Sequence, residues 1–295
     1  MNSIFSRLFS LIFLPCIFIC FYVSTVFAVT DNAPINKNNF TNLESKLISD
    51  GFDPVRIKKI YDNPKTVFSP KGVSTFFIYS ESKLNYNQFT SKKSIKKAKS
   101  YMELHKKKLD DAEKKFGVDK TVITAIILVE TRLGTYVGKR SILNTLSTIA
   151  SLSNKGPREL LWNSISNSRR ISKEKFTIKA EKKSKWAYKE LKAFLQYTKK
   201  ENIDPLSIQG SFAGAIGISQ FMPSNIITLA MDGDLDGHID LFTHDDAIAS
   251  IANYLKHHGW KPGLSKKDAH KVLYSYNHSN YYVDTLMKIS NLLKG

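Results

Sequence analysis

A mainly α-helical fold is predicted from three observations on the chain. Apolar residues recur at three- and four-residue spacing through most of 93–200 and again over 246–258. Glycines stand just past several of these runs, at Gly117, Gly134 and Gly259, where helices stop. Neither the composition nor the Gly and Pro content points to disorder, and no internal repeat or low-complexity tract interrupts the pattern.

The stretch that organises this reading is 118–138, VDKTVITAIILVETRLGTYVG. Asp119 stands where it can cap the helix start, and Gly134 offers a left-handed stop past Arg132. Counting turns puts Ile123, Ile126, Ile127 and Glu130 on one stripe. A carboxylate at the end of an apolar stripe loses hydration of its charged form, so its pKa is expected to rise. Glu130 is therefore a candidate general acid. The competing reading pairs it with Arg132 or a nearby lysine at the helix end.

Residues 1–28 read as a secretory signal peptide, with one arginine, an apolar run from Leu8 to Phe27, and Val26 and Ala28 suited to cleavage after Ala28. The alternative is an uncleaved inner-membrane anchor. Neither Cys16 nor Cys20 follows a small residue, so lipid attachment is not expected. Both cysteines lie in the leader, and the processed chain would hold no disulfide. The net charge of +18 gathers in lysine clusters at 91–99, 105–108, 172–175 and 181–185. An anionic partner outside the cytoplasm, a wall polymer or a membrane surface, fits this balance, unless the lysines merely solubilise helices. Nucleic acid is not expected, because the lysines are scattered and arginines are few.

After a polar linker at 29–41, residues 42–91 read as a small, mostly helical N-terminal subdomain in which VFSPKGVSTFFIYSESKLNY is extended or looped. Phe76, Phe77 and Tyr79 are expected to pack rather than to bind. One charged helix is expected over 93–116, with Ile95, Ala98, Met102, Leu109 and Phe116 as its apolar stripe. Residues 92–295 form the principal domain. Within it, the loop 204–225 is rich in Gly, Ala and Ser and offers Ser211, Ser219 and Gln220 as neutral polar groups, either for a polar polymer or as a helix-packing turn.

The segment 232–246, DGDLDGHIDLFTHDD, is strongly acidic in a basic chain. Asp232, Asp234 and Asp236 have the alternate spacing of an EF-hand loop, with Gly237 at the sharp turn, a backbone carbonyl at His238 and Ile239 inward. Oxygen ligands favour Ca²⁺ over zinc. Thr243 stands where the closing bidentate Glu belongs, and a solvated acidic turn capping the next helix is the alternative. His238, His244, His257, His258, His270 and His278 form no zinc set, and Ser211 and Ser219 have no His/Asp arrangement for nucleophilic catalysis.

Three ordered blocks carry a family resemblance: VETRLGTYVGKRSILNTLSTIA, DPLSIQGSFAGAIGISQFMPS and DGDLDGHIDLFTHDDAIASIANYLKHHGW. Together, over about 118–282, they resemble the lytic murein transglycosylases of the membrane-bound B type. The resemblance implies a lysozyme-like helical catalytic core. It also implies cleavage of the MurNAc-GlcNAc β-1,4 bond of peptidoglycan that leaves a 1,6-anhydro-MurNAc end, with Glu130 as the single catalytic acid and then base. It further implies that Ser211 supports the glutamate, that Gln220, Tyr276 and Asn277 contact substrate, and that the metal loop closes on Asp246. Ile218 and Ser219 replace an aromatic and a glycine common in relatives, and Leu133 replaces a tryptophan, so a sugar-stacking surface is expected to be missing. The expected enzyme is an exported, periplasmic or wall-associated monomer acting on peptidoglycan glycan strands, with a structural Ca²⁺ and no organic cofactor. A lysozyme-type muramidase and a non-catalytic peptidoglycan-binding protein are the alternatives.

Overall fold

The computed structural model describes residues 39–78 and 85–295, so the leader, Cys16, Cys20, most of the linker and Tyr79 lie outside the described residues. The first helices are short: α1 (Thr41–Ser49), α2 (Pro54–Tyr61) and α3 (Pro70–Ile78). Pro54 presets the first turn of α2, and the Asp53 carboxylate accepts the Arg56 amide at 2.8 Å. α3 falls in the stretch expected to be extended or looped. Val73 and Phe77, one helical turn apart, are both buried there, and that shared face holds the segment helical.

The charged run expected to be one helix is two, α4 (Lys92–Leu104) and α5 (Lys106–Phe116). The break is at His105, whose ring lies 4.3 Å from that of Tyr101 and 4.4 Å from that of His244. Both halves pack on α6, but α4 also packs on α13 and α5 on α11. Gly117, at φ 70°, ends α5 and starts the turn into α6 (Lys120–Thr131). Asp119 occupies the cap position of α6 but makes no side-chain cap bond. Glu113 Oε1 accepts the Lys120 amide at 3.0 Å instead, and Asp119 pairs with Lys294 at 3.5 Å. Every residue of α6 from Thr121 to Leu128 is buried, so the stripe of Ile123, Ile126 and Ile127 belongs to a helix enclosed on all sides.

The remainder follows as β1 (Arg140–Ser141), α7 (Ile142–Ala150), α8 (Lys155–Ser164), α9 (Lys173–Lys200), β2 (Gln209–Gly210), α10 (Pro223–Leu229), α11 (His244–His257), α12 (Lys266–Tyr276) and α13 (Asn280–Lys294). α6 packs on α13, while α7 and α10 both lie on the long α9. The two strands pair antiparallel, Arg140 opposite Gly210 and Ser141 opposite Gln209. Gly138 and Gly210 are required there: a Cβ on Gly138 would stand 2.1 Å from the Gly210 carbonyl oxygen. In α11, Ile248, Ile251, Ala252 and Leu255 are buried as the periodicity predicts, and Gly259 follows at φ 97°.

The described residues belong to one unit, Ile35–Gly295. Its N-terminal helices are joined to the rest by specific bonds. Arg56 donates to the Leu195 carbonyl and to Thr198, Tyr61 shares a hydrogen bond with Ser147, and Asp50 accepts from Tyr188 and Lys192. No helix among the described residues is long and apolar enough to cross a membrane.

One buried carboxylate was not singled out by the sequence. Glu190 of α9 is 4% exposed, and its two oxygens accept the Ser224 amide and hydroxyl, each at 2.9 Å. It caps α10 from outside that helix. Glu190→Ala strips partners from two half-buried donors and is expected to cost about 1–3 kcal/mol in urea unfolding. An unchanged midpoint would show that this cap is not structural.

Candidate active site

Glu130 stands in the last turn of α6, where the enclosed part of the helix gives way to a half-buried end. Its Oε1 accepts a 2.6 Å hydrogen bond from the Tyr282 hydroxyl of α13. Burial and the nearby Glu130 charge hold the Tyr282 hydroxyl well above its ordinary pKa, so it is a neutral donor at physiological pH. The same two causes, burial first, act on Tyr276. Tyr282 thus bonds the glutamate, and Tyr276 feels its charge, yet only the Tyr276-Asn277 pair was expected from the sequence. Tyr282 is six residues beyond Tyr276, and nothing in its local pattern separates it from a core aromatic.

The chain leaving α6 turns sharply. Arg132 and Leu133 have φ of 53° and 64°, ahead of Gly134 at 80°, so the left-handed stop expected at Gly134 already begins at Arg132. Thr131 holds this turn. Its hydroxyl lies 3.2 Å from the Ile127 and Ile218 carbonyls and accepts the Gly134 amide at 3.0 Å. Gly134 is confined as well, since a Cβ there would meet the His244 ring at 2.8 Å. Arg132 reaches outward to donate to Gln88 Oε1 at 2.9 Å.

Through Thr131 the helix end is joined to the loop 204–225. Ser211 Oγ accepts the Ala213 and Ala215 amides at 3.2 and 2.9 Å, which folds the Gly-rich segment back on itself. Gln220 has a φ of 51°, and its Nε2 donates to the carbonyls of Gly217 and Val137 at 2.8 and 3.1 Å. Tyr276 donates to the Ser219 carbonyl at 2.6 Å. Asn277 caps α12 in extended conformation. Ile218 and Ser219 are 2% and 0% exposed, so those positions face the core, and their side chains have no part in a sugar-stacking surface. Tyr136 and Tyr281 are 58% and 66% exposed, and Tyr281 adjoins Tyr282; the sequence reading named neither.

The acidic segment meets the 204–225 loop where Leu241 packs against Gly217. Asp232, Asp234 and Asp246 each bring a carboxylate oxygen within 4.8 Å of the others. Asp232 also accepts the amides of Leu235, Asp236 and Gly237, and Asp246 those of Gly233 and Asp240. Asp236 is not in the converging group; its Oδ1 accepts the His238 amide at 2.8 Å. Burial raises the pKa of Asp246, and the neighbouring Asp234 and Asp232 charges add to the rise. Three converging carboxylates, one buried, make an all-oxygen donor set that suits a hard divalent cation.

Residues 36–267 match the family described as the transglycosylase SLT domain, and the chain belongs to that family. Over 155 residues it is 39% identical to the membrane-bound lytic murein transglycosylase B of Escherichia coli K12, an alignment that covers 52% of this chain and about a third (36%) of the relative's length. The fold is that of lysozyme-like lytic transglycosylases. It superposes on E. coli Slt35 in complex with bulgecin A with a TM-score of 0.68 at 24% identity, covering 88% of this chain and 93% of the other. For the soluble transglycosylase SltB1 of Pseudomonas aeruginosa the TM-score is 0.69 at 22% identity, with 85% and 97% covered. Slt35 in complex with calcium gives 0.66 at 24% identity, with 88% and 93% covered.

Tyr282 donates to the carboxylate form of Glu130 and so favours it over the acid. Tyr282→Phe is therefore expected to move the Glu130 titration upward, read by carbon-13 NMR of side-chain carboxyls with Glu130→Gln assigning the resonance. A midpoint that falls or does not move would rule out this hydrogen bond as a determinant of the carboxyl's charge.

Proposed function

We propose that this chain is a lytic transglycosylase that cleaves the MurNAc-GlcNAc β-1,4 bond of peptidoglycan, with Glu130 as acid and then base. The observation that carries the reading is the half-buried Glu130 at the end of an enclosed helix, hydrogen-bonded at 2.6 Å to a tyrosine, in a chain of the transglycosylase SLT domain family. The carbonyl end of α6 disfavours negative charge on Glu130, while Tyr282 counters by donating to it. A carboxyl balanced in this way can give a proton and take one back.

In the forward step Glu130 gives its proton to the glycosidic oxygen, and the bond from that oxygen to the MurNAc C1 breaks. The substrate's 2-acetamido group steadies the cation at C1. The sugar's own O6 then bonds to C1 and its proton passes to the Glu130 carboxylate, which restores the acid. No water is consumed, and no second carboxylate is required. Ser211 supports Glu130 through the hydroxyl proton left over when its oxygen accepts two amides. Gln220 offers substrate its Oε1, because its Nε2 is committed to two carbonyls. Tyr276 and Asn277 line the cleft from the end of α12, and the leader read at 1–28 delivers the enzyme to the periplasm or the wall.

Glu130→Gln is expected to lower turnover by on the order of 10²-fold or more. The readout is mass spectrometry of sugars released from purified sacculi by residues 29–295. Anhydro-ended products that persist in the variant would sink the assignment, and reducing ends released by the parent but lost in the variant would mark a hydrolase.

Ca²⁺ held by Asp232, Asp234 and Asp246 is the second part of the proposal. The ion would brace α11 against the Gly217-Leu241 contact rather than take part in chemistry. At about 100 times its Kd, Ca²⁺ is expected to raise the melting temperature by roughly 5–10 °C, and Asp246→Asn to abolish the shift. A melting temperature indifferent to both chelator and Ca²⁺ would remove the metal.

A further inference from the structure

Three rings meet where the first turn of α11 comes up to the end of α6. Tyr101 is buried on α4, His105 stands at the break between α4 and α5, and His244 is the first residue of α11. Tyr101 Oη and His244 Nδ1 lie 2.9 Å apart, and the His105 ring sits 4.4 Å from that of His244. In the next position along α11, Asp245 pairs with Lys108 of α5 at 2.9 Å. The start of α11 is thus clamped by rings and by an ion pair.

The clamp presses the His244 ring onto the turn that follows Glu130. A Cβ on Gly134 would lie 2.8 Å from His244 Cε1, so the imidazole fills the room that a side chain would take there. The Gly134 amide donates to the Thr131 hydroxyl at 3.0 Å, and Thr131 follows Glu130 in the chain. On the other side of His244, in the same turn of α11, Asp246 converges with Asp232 and Asp234. A continuous series of contacts therefore joins the acidic cluster to the end of α6 through His244 and Gly134. Close-packed contacts of this kind transmit strain instead of absorbing it.

A second series runs parallel to it. The Leu241 carbonyl accepts the Ile218 amide at 2.7 Å, and the Ile218 carbonyl lies 3.2 Å from the Thr131 hydroxyl. The two routes meet at Thr131. They are separable, because the second is carried by backbone atoms of Leu241 and Ile218 and survives a change of the His244 side chain.

We propose that His244 is a positioning residue for Glu130: its ring fixes the Gly134 turn and passes on to the glutamate the state of the carboxylate cluster at Asp246. This rests on the transglycosylase reading for its consequence and on the Ca²⁺ reading for its input. It deepens both, since the metal segment then regulates the geometry of the acid without touching substrate.

Glu130 itself is the reporter. Its carboxyl carbon-13 resonance, assigned with Glu130→Gln, is followed in the full chain as Ca²⁺ is added at constant pH, and calorimetry gives the Ca²⁺ Kd in the same buffer. In the parent the resonance is expected to move in step with Ca²⁺ occupancy. In His244→Ala that movement is expected to be lost, while the Ca²⁺ Kd stays within about tenfold of the parent's because all three carboxylates remain. The variant's kcat on soluble glycan strands is expected to fall on the order of tenfold with KM little changed, as for an acid held slightly out of place. Tyr101→Phe keeps the His244 ring but removes its 2.9 Å partner, and is expected to shrink the movement; it replaces His244→Ala should that variant not fold.

A resonance that Ca²⁺ moves equally in the parent and the variants would overturn the proposal and leave the Leu241 route as the carrier. So would a parent resonance that stays still as Ca²⁺ binds, an unchanged kcat in His244→Ala, or loss of Ca²⁺ binding in that variant, since His244 would then support the metal segment itself. Failure of the parent to bind Ca²⁺ would remove the metal reading together with the proposal. Products released by the parent report on the catalytic reading alone, so the failures are distinguishable.

Discussion

The burial of α6 on every side is the constraint on which the structure depends. Eight consecutive residues of this helix, Thr121 to Leu128, are out of water. Each large aliphatic among them contributes about 2 kcal/mol by burial. A helix so enclosed cannot shift or turn without opening its contacts to α4, α5, α11 and α13. Its last turn is consequently a fixed platform, and Glu130 is presented there rather than merely exposed. Tyr282 comes from α13, the principal neighbour of α6, so the hydrogen bond to the glutamate is made by the same packing that stabilises the core.

Backbone strain gathers around that platform. Arg132, Leu133 and Gln220 hold left-handed conformations without being glycines. The hydroxyl of Thr131 spans the two strained segments, bonding toward Ile127 on its own helix and Ile218 on the 204–225 loop. Residues in such conformations persist only where the surroundings over-determine them. Here the surroundings include the closely packed glycines Gly134, Gly138, Gly210 and Gly217, each too confined to accept a Cβ. The 204–225 loop is therefore held by close packing at its glycines.

Electrostatics divides the molecule into compensated and uncompensated parts. Most of α5 is cross-paired, and its Lys108 reaches the acidic segment through Asp245. That segment has its own tension, since burial and two neighbouring carboxylates push Asp246 toward protonation. α4 has the reverse imbalance, positive and unpaired. Among the described residues, uncompensated charge of opposite sign thus gathers in two places, the acidic 232–246 segment and the exposed face of α4.

Much of this was legible in the amino-acid order, because it depends on local periodicity and on spacing. The repeat of Ile123, Ile126 and Ile127 marked α6 and put Glu130 at its end, the 246–258 pattern marked α11, and alternate aspartates marked a loop where Asp232 and Asp234 do converge. Local pattern erred where a distant neighbour decides. α3 is helical because Val73 and Phe77 find a surface to cover, the 93–116 helix breaks where His105 meets the ring of His244, and Asp119 gives up its cap to Glu113. Glu190, Tyr282 and the packing of His244 on Gly134 could not be read in advance, since each depends on contacts between residues far apart in the chain. By itself the sequence determined which residues can carry the chemistry, because residue type and helical phase are local properties. Only the tertiary structure decided which of them meet, because packing brings Tyr282 to Glu130 across 152 positions and leaves Asp236 outside the acidic cluster four positions from Asp232.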